Sequence, residues 1–158
     1  MSKVYLAGAM EFAADNGAGW RDQVVSMFKE VGVDTFNPCT DEGEIFKSYQ
    51  FANHKEFHGA KVDDPDRFIP CMREIAQTDL REIASSDYVL MYITPGLAGG
   101  TPGEATCSHY VFDVPVVGVW SPGCNVSNTS GWLQATCETT FSTFEEAVQY
   151  ISDKVNGG

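Results

Sequence analysis

The apolar positions of the chain alternate between short buried runs and longer stretches of helical spacing. Lys3 to Ala7 reads as a first strand, and a loop rich in Gly, Ala and Asn runs from Gly8 through Gly19. Trp20 to Val31 follows as a helix, because Trp20, Val24, Met27, Phe28 and Val31 recur on one face. Val33 to Phe36 resembles a second strand, ended by Asn37-Pro38. Ile69 to Ser85 places Met72, Ile75, Ala76, Leu80 and Ile83 on a helical face, and Tyr88 to Ile93 is a continuous apolar run of the kind found in buried strands. Glu104 to Phe112 predicts another helix, Val114 to Trp120 another buried strand, and Phe144 to Val155 a closing amphipathic helix begun near Ser142 or Thr143. Strands alternating with helices predict an α/β fold, with a mostly parallel sheet covered on both faces and right-handed crossovers. Residues 39 to 68 fit neither pattern. That length is unusual for a connection inside a compact domain, so the segment is expected to be a functional flap or a subunit contact.

Composition narrows the partners. With 158 residues, 43% of them hydrophobic, the chain can bury one sizeable core, and a single domain over residues 1–158 is expected. A formal net charge of -12 argues against a nucleic-acid surface, which needs clustered Lys and Arg, and favours neutral or cationic small substrates over polyanions. The five cysteines are an odd number with no CxxC pair, which fits reduced thiols. Met1 to Gly8 enters a strand at once, without the apolar length of a signal peptide or membrane span, so a cytoplasmic protein with no membrane partner is the expectation. Without secretion, the glycosylation patterns at Asn125 and Asn128 read as turn residues.

The richest placement belongs to Glu104. It ends the run Ala98-Gly99-Gly100-Thr101-Pro102-Gly103 just behind the Tyr88 strand, and ligands in open α/β sheets bind at the carboxyl ends of strands. Tyr5, on the first strand, and Asp79, on the helix before Tyr88, can converge on the same edge. Two acids and a tyrosine suit displacement at an anomeric carbon, one acid attacking while the other protonates or orients the departing group. Glycine backbone at Gly8 and Gly100 leaves room for a sugar. Each residue also has a bland reading: Asp79 as a solvated partner of Arg73 or Arg81, Tyr5 as core, and Glu104 as a first-turn residue favoured by the helix dipole. Elsewhere, His54 and His58 flank Glu56 at i, i+4 spacing but lack a third ligand, so a solvated or interface role is expected and no metal is needed. Cys107 and His109 diverge on a helix, and the first loop lacks the GxGxxG and GxxxxGK[ST] patterns, so no cofactor is expected.

Taken in order, Lys3-Val4-Tyr5-Leu6-Ala7-Gly8, Thr78-Asp79-Leu80-Arg81-Glu82-Ile83, Ser86-Asp87-Tyr88-Val89-Leu90 and Gly100-Thr101-Pro102-Gly103-Glu104 resemble the nucleoside 2-deoxyribosyltransferase family across nearly the whole chain. Asn128-Thr129-Ser130-Gly131-Trp132 resembles that family's carboxyl-terminal Asn segment, which reaches into a neighbouring subunit's pocket. The resemblance implies a flavodoxin-like three-layer sandwich with a five-stranded sheet, in a dimer-based homo-oligomer that can extend to a hexamer. It also implies double displacement between 2′-deoxynucleosides and free nucleobases. Glu104 attacks C1′ to form a deoxyribosyl ester, Tyr5 holds Glu104, and Asp79 contacts the leaving base. Asn128 binds the 5′-hydroxyl across the interface, with Ser130 beside it in the same substrate-binding segment.

One position departs from the pattern. Ala98 stands where some members carry another base-binding acid, so base preference does not carry over. Asp87 does not replace that acid, because it precedes the strand and caps or turns the chain. Two alternatives stay open. A hydrolase of 2′-deoxynucleosides or their 5′-monophosphates would need cationic or hydroxyl donors near the 5′ end, where the first loop offers Glu11 and Asp15 against Arg21 alone; Ser127, Thr129 and Ser130 could supply them. A nucleotide-sensing module would keep the fold without turnover.

Overall fold

The computed structural model describes residues 1–157. Five parallel strands, β1 (Lys3–Ala7), β2 (Asp34–Phe36), β3 (Tyr88–Ile93), β4 (Val116–Trp120) and β5 (Cys137–Phe141), form one sheet in the order β2-β1-β3-β4-β5. The order places β1 and β3 centrally. Both therefore bury both faces, which is why their sequences are continuous apolar runs.

Alternation along each strand separates two cores. Val4, Leu6, Leu90, Val117 and Val119 face α1 (Ala18–Glu30) and the last helix, α8 (Phe144–Gly157), packing with Val24, Phe28, Val148 and Ile151. Tyr5, Ala7, Val89, Met91 and Ile93 point the other way, toward Ile83 of α5 (Pro65–Ala84) and Ala105 of α6 (Gly100–Tyr110). The result is helices on both faces of a parallel sheet, the flavodoxin-like sandwich that the resemblance implies. Thr143 starts α8 as expected, its hydroxyl accepting from the Glu146 backbone N–H at 3.2 Å and donating to the Glu146 carboxylate at 3.0 Å.

Three sequence expectations change. Residues 39 to 68, which show no readable pattern, are largely helical: α2 (Pro38–Asp41), α3 (Gly43–Ser48), α4 (His54–Asp63) and the first turn of α5 occupy them. These pieces build a third, separate core from Phe46, Phe51, Phe57, Ala60, Phe68, Cys71 and Ile75, forming a cap over the first half of α5. The helix assigned to Glu104–Phe112 starts earlier, at Gly100. Pro102 lies in its first turn, where a missing N–H costs no helical hydrogen bond, so the Gly/Pro run winds into helix instead of remaining a loop. Finally, α7 (Gly131–Thr136) and β5 carry no clear apolar pattern. β5 is an edge strand with no fully buried residue, so its sequence lacks the core signal.

Candidate active site

Tyr5, Asp79 and Glu104 meet on one face of the sheet. Alternation on β1 turns Tyr5 toward α5 and α6, where it is fully buried and stacked on Phe36 with centroids 5.6 Å apart. Asp79 sits among the buried positions of α5 at 7% exposure, which removes its reading as a solvated partner of Arg73 or Arg81. Glu104 lies one turn inside α6, beyond the first-turn position that would make it a simple dipole partner. Asp79 and Glu104 line a cavity of about 280 Å³, near the lower end of small-molecule sites. Gly8 and Gly100 line it too, together with Ala98 and Thr101, and Met10 and Glu11 of the loop after β1.

A fourth acid joins them. Glu42 is 2% exposed and lines the same cavity. It is the single residue joining α2 to α3, with φ of -98° and ψ of 2°, and its carbonyl accepts from Ile45 N–H at 3.0 Å, so the turn between two short helices directs its side chain inward. The Glu42 and Asp79 carboxyls are close neighbours on the same cavity wall, where each shifts the ionisation of the other. Glu42 Oε1 and Asp79 Oδ1 are buried without a hydrogen-bond partner.

Burial and mutual repulsion set the protonation. Loss of water raises Glu42, Asp79 and Glu104 above the usual carboxylate range; for Glu42 the Asp79 neighbour adds to the rise, and for Glu104 the Asp79 charge does the same. The Tyr5 hydroxyl, itself raised by burial and by the adjacent acids, lies near Asp79 and Glu104 and favours their charged forms, though it makes no hydrogen bond of ordinary geometry. Arg21 opposes the rise in all three acids. It is 1% exposed and makes no carboxylate ion pair among the described residues. Instead it donates to Gly8 O at 2.8 Å, Gly17 O at 3.0 Å, and Leu6 O and Ala9 O at 3.4 Å, wrapping the first loop around a buried cation. Gly17 has φ of +75°, and a Cβ there would lie 2.3 Å from both Ala9 O and Arg21 Nη1.

The cap supplies the far wall with Phe46, Phe57, Phe68, Met72 and Ile75, and with two imidazoles. His54 and His58 are half-buried and face the cavity, not bulk solvent, and desolvation lowers both below the ordinary histidine value. Lys61 pairs with Glu11, and His58 Nε2 lies 3.3 Å from Asn16 Oδ1, so the cap is tied to the loop after β1. Among the described residues no cluster of three ligands could hold a metal ion.

Asn128 and Ser130 stand apart. They line a second cavity of about 300 Å³ with Leu97, Pro102, Cys124 and Trp132, and Asn128 Nδ2 donates to Gly123 O at 2.7 Å. Within one chain they do not join Glu104. Asp87 has the structural role expected of it, its carboxylate accepting from Lys3 N–H at 2.9 Å. The residues that the sequence reading missed, Glu42, Phe46 and Phe57, come from the cap. One signal was available: Asn53-x-x-Glu56 is a capping pattern, and Asn53 Oδ1 accepts from Glu56 N–H at 2.8 Å while Glu56 accepts from Ala52 N–H at 3.0 Å.

With this geometry in place, two solved structures bear on the chain. A 2-deoxyribosyltransferase from the psychrotolerant bacterium Bacillus psychrosaccharolyticus superposes with a TM-score of 0.65 at 17% identity, over 94% of this chain and 92% of that one. The chain has its fold. A conserved protein from Enterococcus faecalis gives a TM-score of 0.61 at 16% identity, over 98% and 99% of the two chains. No protein-family model matches the chain, and no curated protein does. The flavodoxin-like arrangement is therefore common to all three, while the cavity chemistry must be argued from this chain's own residues.

Proposed function

We propose that this chain is a nucleoside deoxyribosyltransferase acting by double displacement. The observation that carries the reading is the meeting of Asp79 and Glu104 at one glycine-walled cavity, with the buried Tyr5 hydroxyl behind them, in a fold shared with a 2-deoxyribosyltransferase. In the first half-reaction a Glu104 oxygen attacks C1′ of a 2′-deoxynucleoside, the bond from C1′ to the base nitrogen breaks, and Asp79 assists proton delivery to the departing base. In the second, a free base attacks C1′ and Glu104 leaves as carboxylate. Two inversions give net retention.

Arg21 supports this role for Glu104. Its charge opposes the rise that burial imposes, so an ionised nucleophile remains attainable in a desolvated site. The apolar cap fits the faces of a nucleobase, and an absent 2′-hydroxyl removes an electron-withdrawing oxygen beside the developing positive charge. Asn128 and Ser130 are assigned to the sugar's 5′ end in a neighbouring copy's site, which agrees with their position on a separate cavity beside the 64% exposed Trp132. Homo-oligomeric assembly belongs to the same proposal. The cations that contact the first loop are already engaged, Arg21 of α1 with carbonyls and Lys61 of α4 with Glu11, which favours unphosphorylated nucleosides over 5′-monophosphates.

Incubation with deoxyinosine and free adenine tests the reading. Deoxyadenosine with released hypoxanthine is the expected product, free base without exchange indicates a hydrolase, and no turnover indicates a binding module. Glu104→Ala is expected to lower the exchange rate at least about a thousandfold with the fold intact, and full turnover in that variant refutes the nucleophile.

A further inference from the structure

We infer that Glu42 and Asp79 work as a carboxyl pair holding one proton, with Glu42 as its resting place and Asp79 as the group that passes it to the departing nucleobase. The inference rests on the transferase reading and adds a residue to it. Three observations carry it. Glu42 is nearly inaccessible yet lines the cavity, the buried Asp79 lines the same cavity, and one buried oxygen of each has no hydrogen-bond partner. A buried acid with an unpaired oxygen is costly unless it is neutral or meets a ligand. Both conditions are satisfied by a pair that keeps a proton at rest and gives it up during turnover.

The groups facing Glu42 come from every element around it. Asp79 on α5, Glu104 on α6 and Tyr5 on β1 disfavour a further negative charge, and Arg21 on α1 is the counter-charge. Cys39 on α2 and Cys71 on α5 also feel the Glu42 carboxyl. His54 and His58 on α4 stand along the same cavity wall and are shifted toward the neutral form. Within the pair, Asp79 opposes ionisation of Glu42, while Glu42 favours the charged form of Asp79.

The proton count closes over a full cycle. As Glu104 forms its bond to C1′, the bonding pair between C1′ and the base nitrogen goes to that nitrogen, the Glu42 proton passes to Asp79, and Asp79 hands it on to that nitrogen, leaving both acids of the pair ionised. When the second base attacks C1′, Glu104 departs with its bonding pair, the incoming base gives its N–H proton to Asp79, and the pair returns to its resting form. Glu42 acts through Asp79 and is a positioning residue in the first instance.

Glu42→Gln keeps size and a hydrogen-bond donor but cannot relay a proton. Transfer from deoxyinosine is compared with release of nitrophenolate from 4-nitrophenyl 2-deoxyriboside, whose leaving group departs without a proton. The expected result is a fall of at least about tenfold in the ratio of the first rate to the second. The alkaline loss of deoxyinosine activity also moves to lower pH by about one unit or more. Equal losses on both substrates with an unmoved pH profile overturn the inference. Carbon-13 spectra of glutamate-labelled protein give a readout independent of turnover: one carboxyl signal at the shift of a protonated acid at neutral pH, absent from Glu42→Gln. Absence of that signal from the wild type overturns the pair. A wild type that shows the signal but moves no deoxyribose overturns the transferase reading and the proton's destination, while the pair stands.

Discussion

The sheet and the cap contribute to one cavity in different ways. From the sheet side come Asp79 and Glu104, with Tyr5 buried behind them, held by a strand and helices packed on the sheet. From the cap come Glu42, the histidines and the aromatic wall, held by short helices around a core of their own. Under the proposed function, the first set makes bonds at the sugar and the second receives the base. A protein built this way can change what the cap recognises without disturbing the platform beneath it.

The contrast can be broken at the cap most forcefully. Phe57, 3% exposed and packed against Phe46, Phe51 and Phe68, is central to the small cluster. Phe57→Ala is expected to cost the cap about 3–5 kcal/mol. Hydrogen exchange will rise across residues 38–64 while the amides of β1 and β3 stay protected, and a uniform rise over both would show that the two cores unfold as one. The loop that joins the halves comes next. Gly17→Ala places a methyl group against Ala9 O and Arg21 Nη1 at a positive φ, so a loss of about 1–3 kcal/mol is expected in chemical denaturation.

A smaller effect separates the two sets of acids by pH. Groups raised by burial favour the folded state when protonated, so their contribution is complete below the ordinary carboxylate pKa and is lost as pH climbs through the raised values. Thermal stability is therefore expected to decline as pH rises from about 4 toward the alkaline side. Glu42→Gln removes one such group and will raise Tm near neutral pH by about 2–4 °C, roughly 1 kcal/mol. A Tm unchanged across that range in both proteins would place the Glu42 proton elsewhere.

The same division explains what could be read from residues alone. Tyr88 to Ile93 and the α5 stripe announce themselves because each buries a long, regular face against the sheet. The cap does not, since α2 and α3 span only 4 and 6 residues, too few to display a period, and their Phe residues serve a local cluster. Asn37-Pro38 reads as the end of a strand but also caps α2, its Oδ1 accepting from Cys39 N–H at 3.0 Å. Glu42 was illegible for a related reason: only the turn between two brief helices aims it inward. The separation of Asn128 from Glu104 within one chain is announced by no pattern of spacing.

Arg21 has a consequence for how the site responds to its surroundings. Its charge is solvated by peptide carbonyls, which do not titrate and cannot be displaced by dissolved ions. The potential it projects is fixed by the folded main chain and lies beyond the reach of a Debye atmosphere. Catalysis should accordingly proceed at nearly the same rate in dilute buffer and in concentrated salt, even though the outer surface of so acidic a protein will be strongly screened.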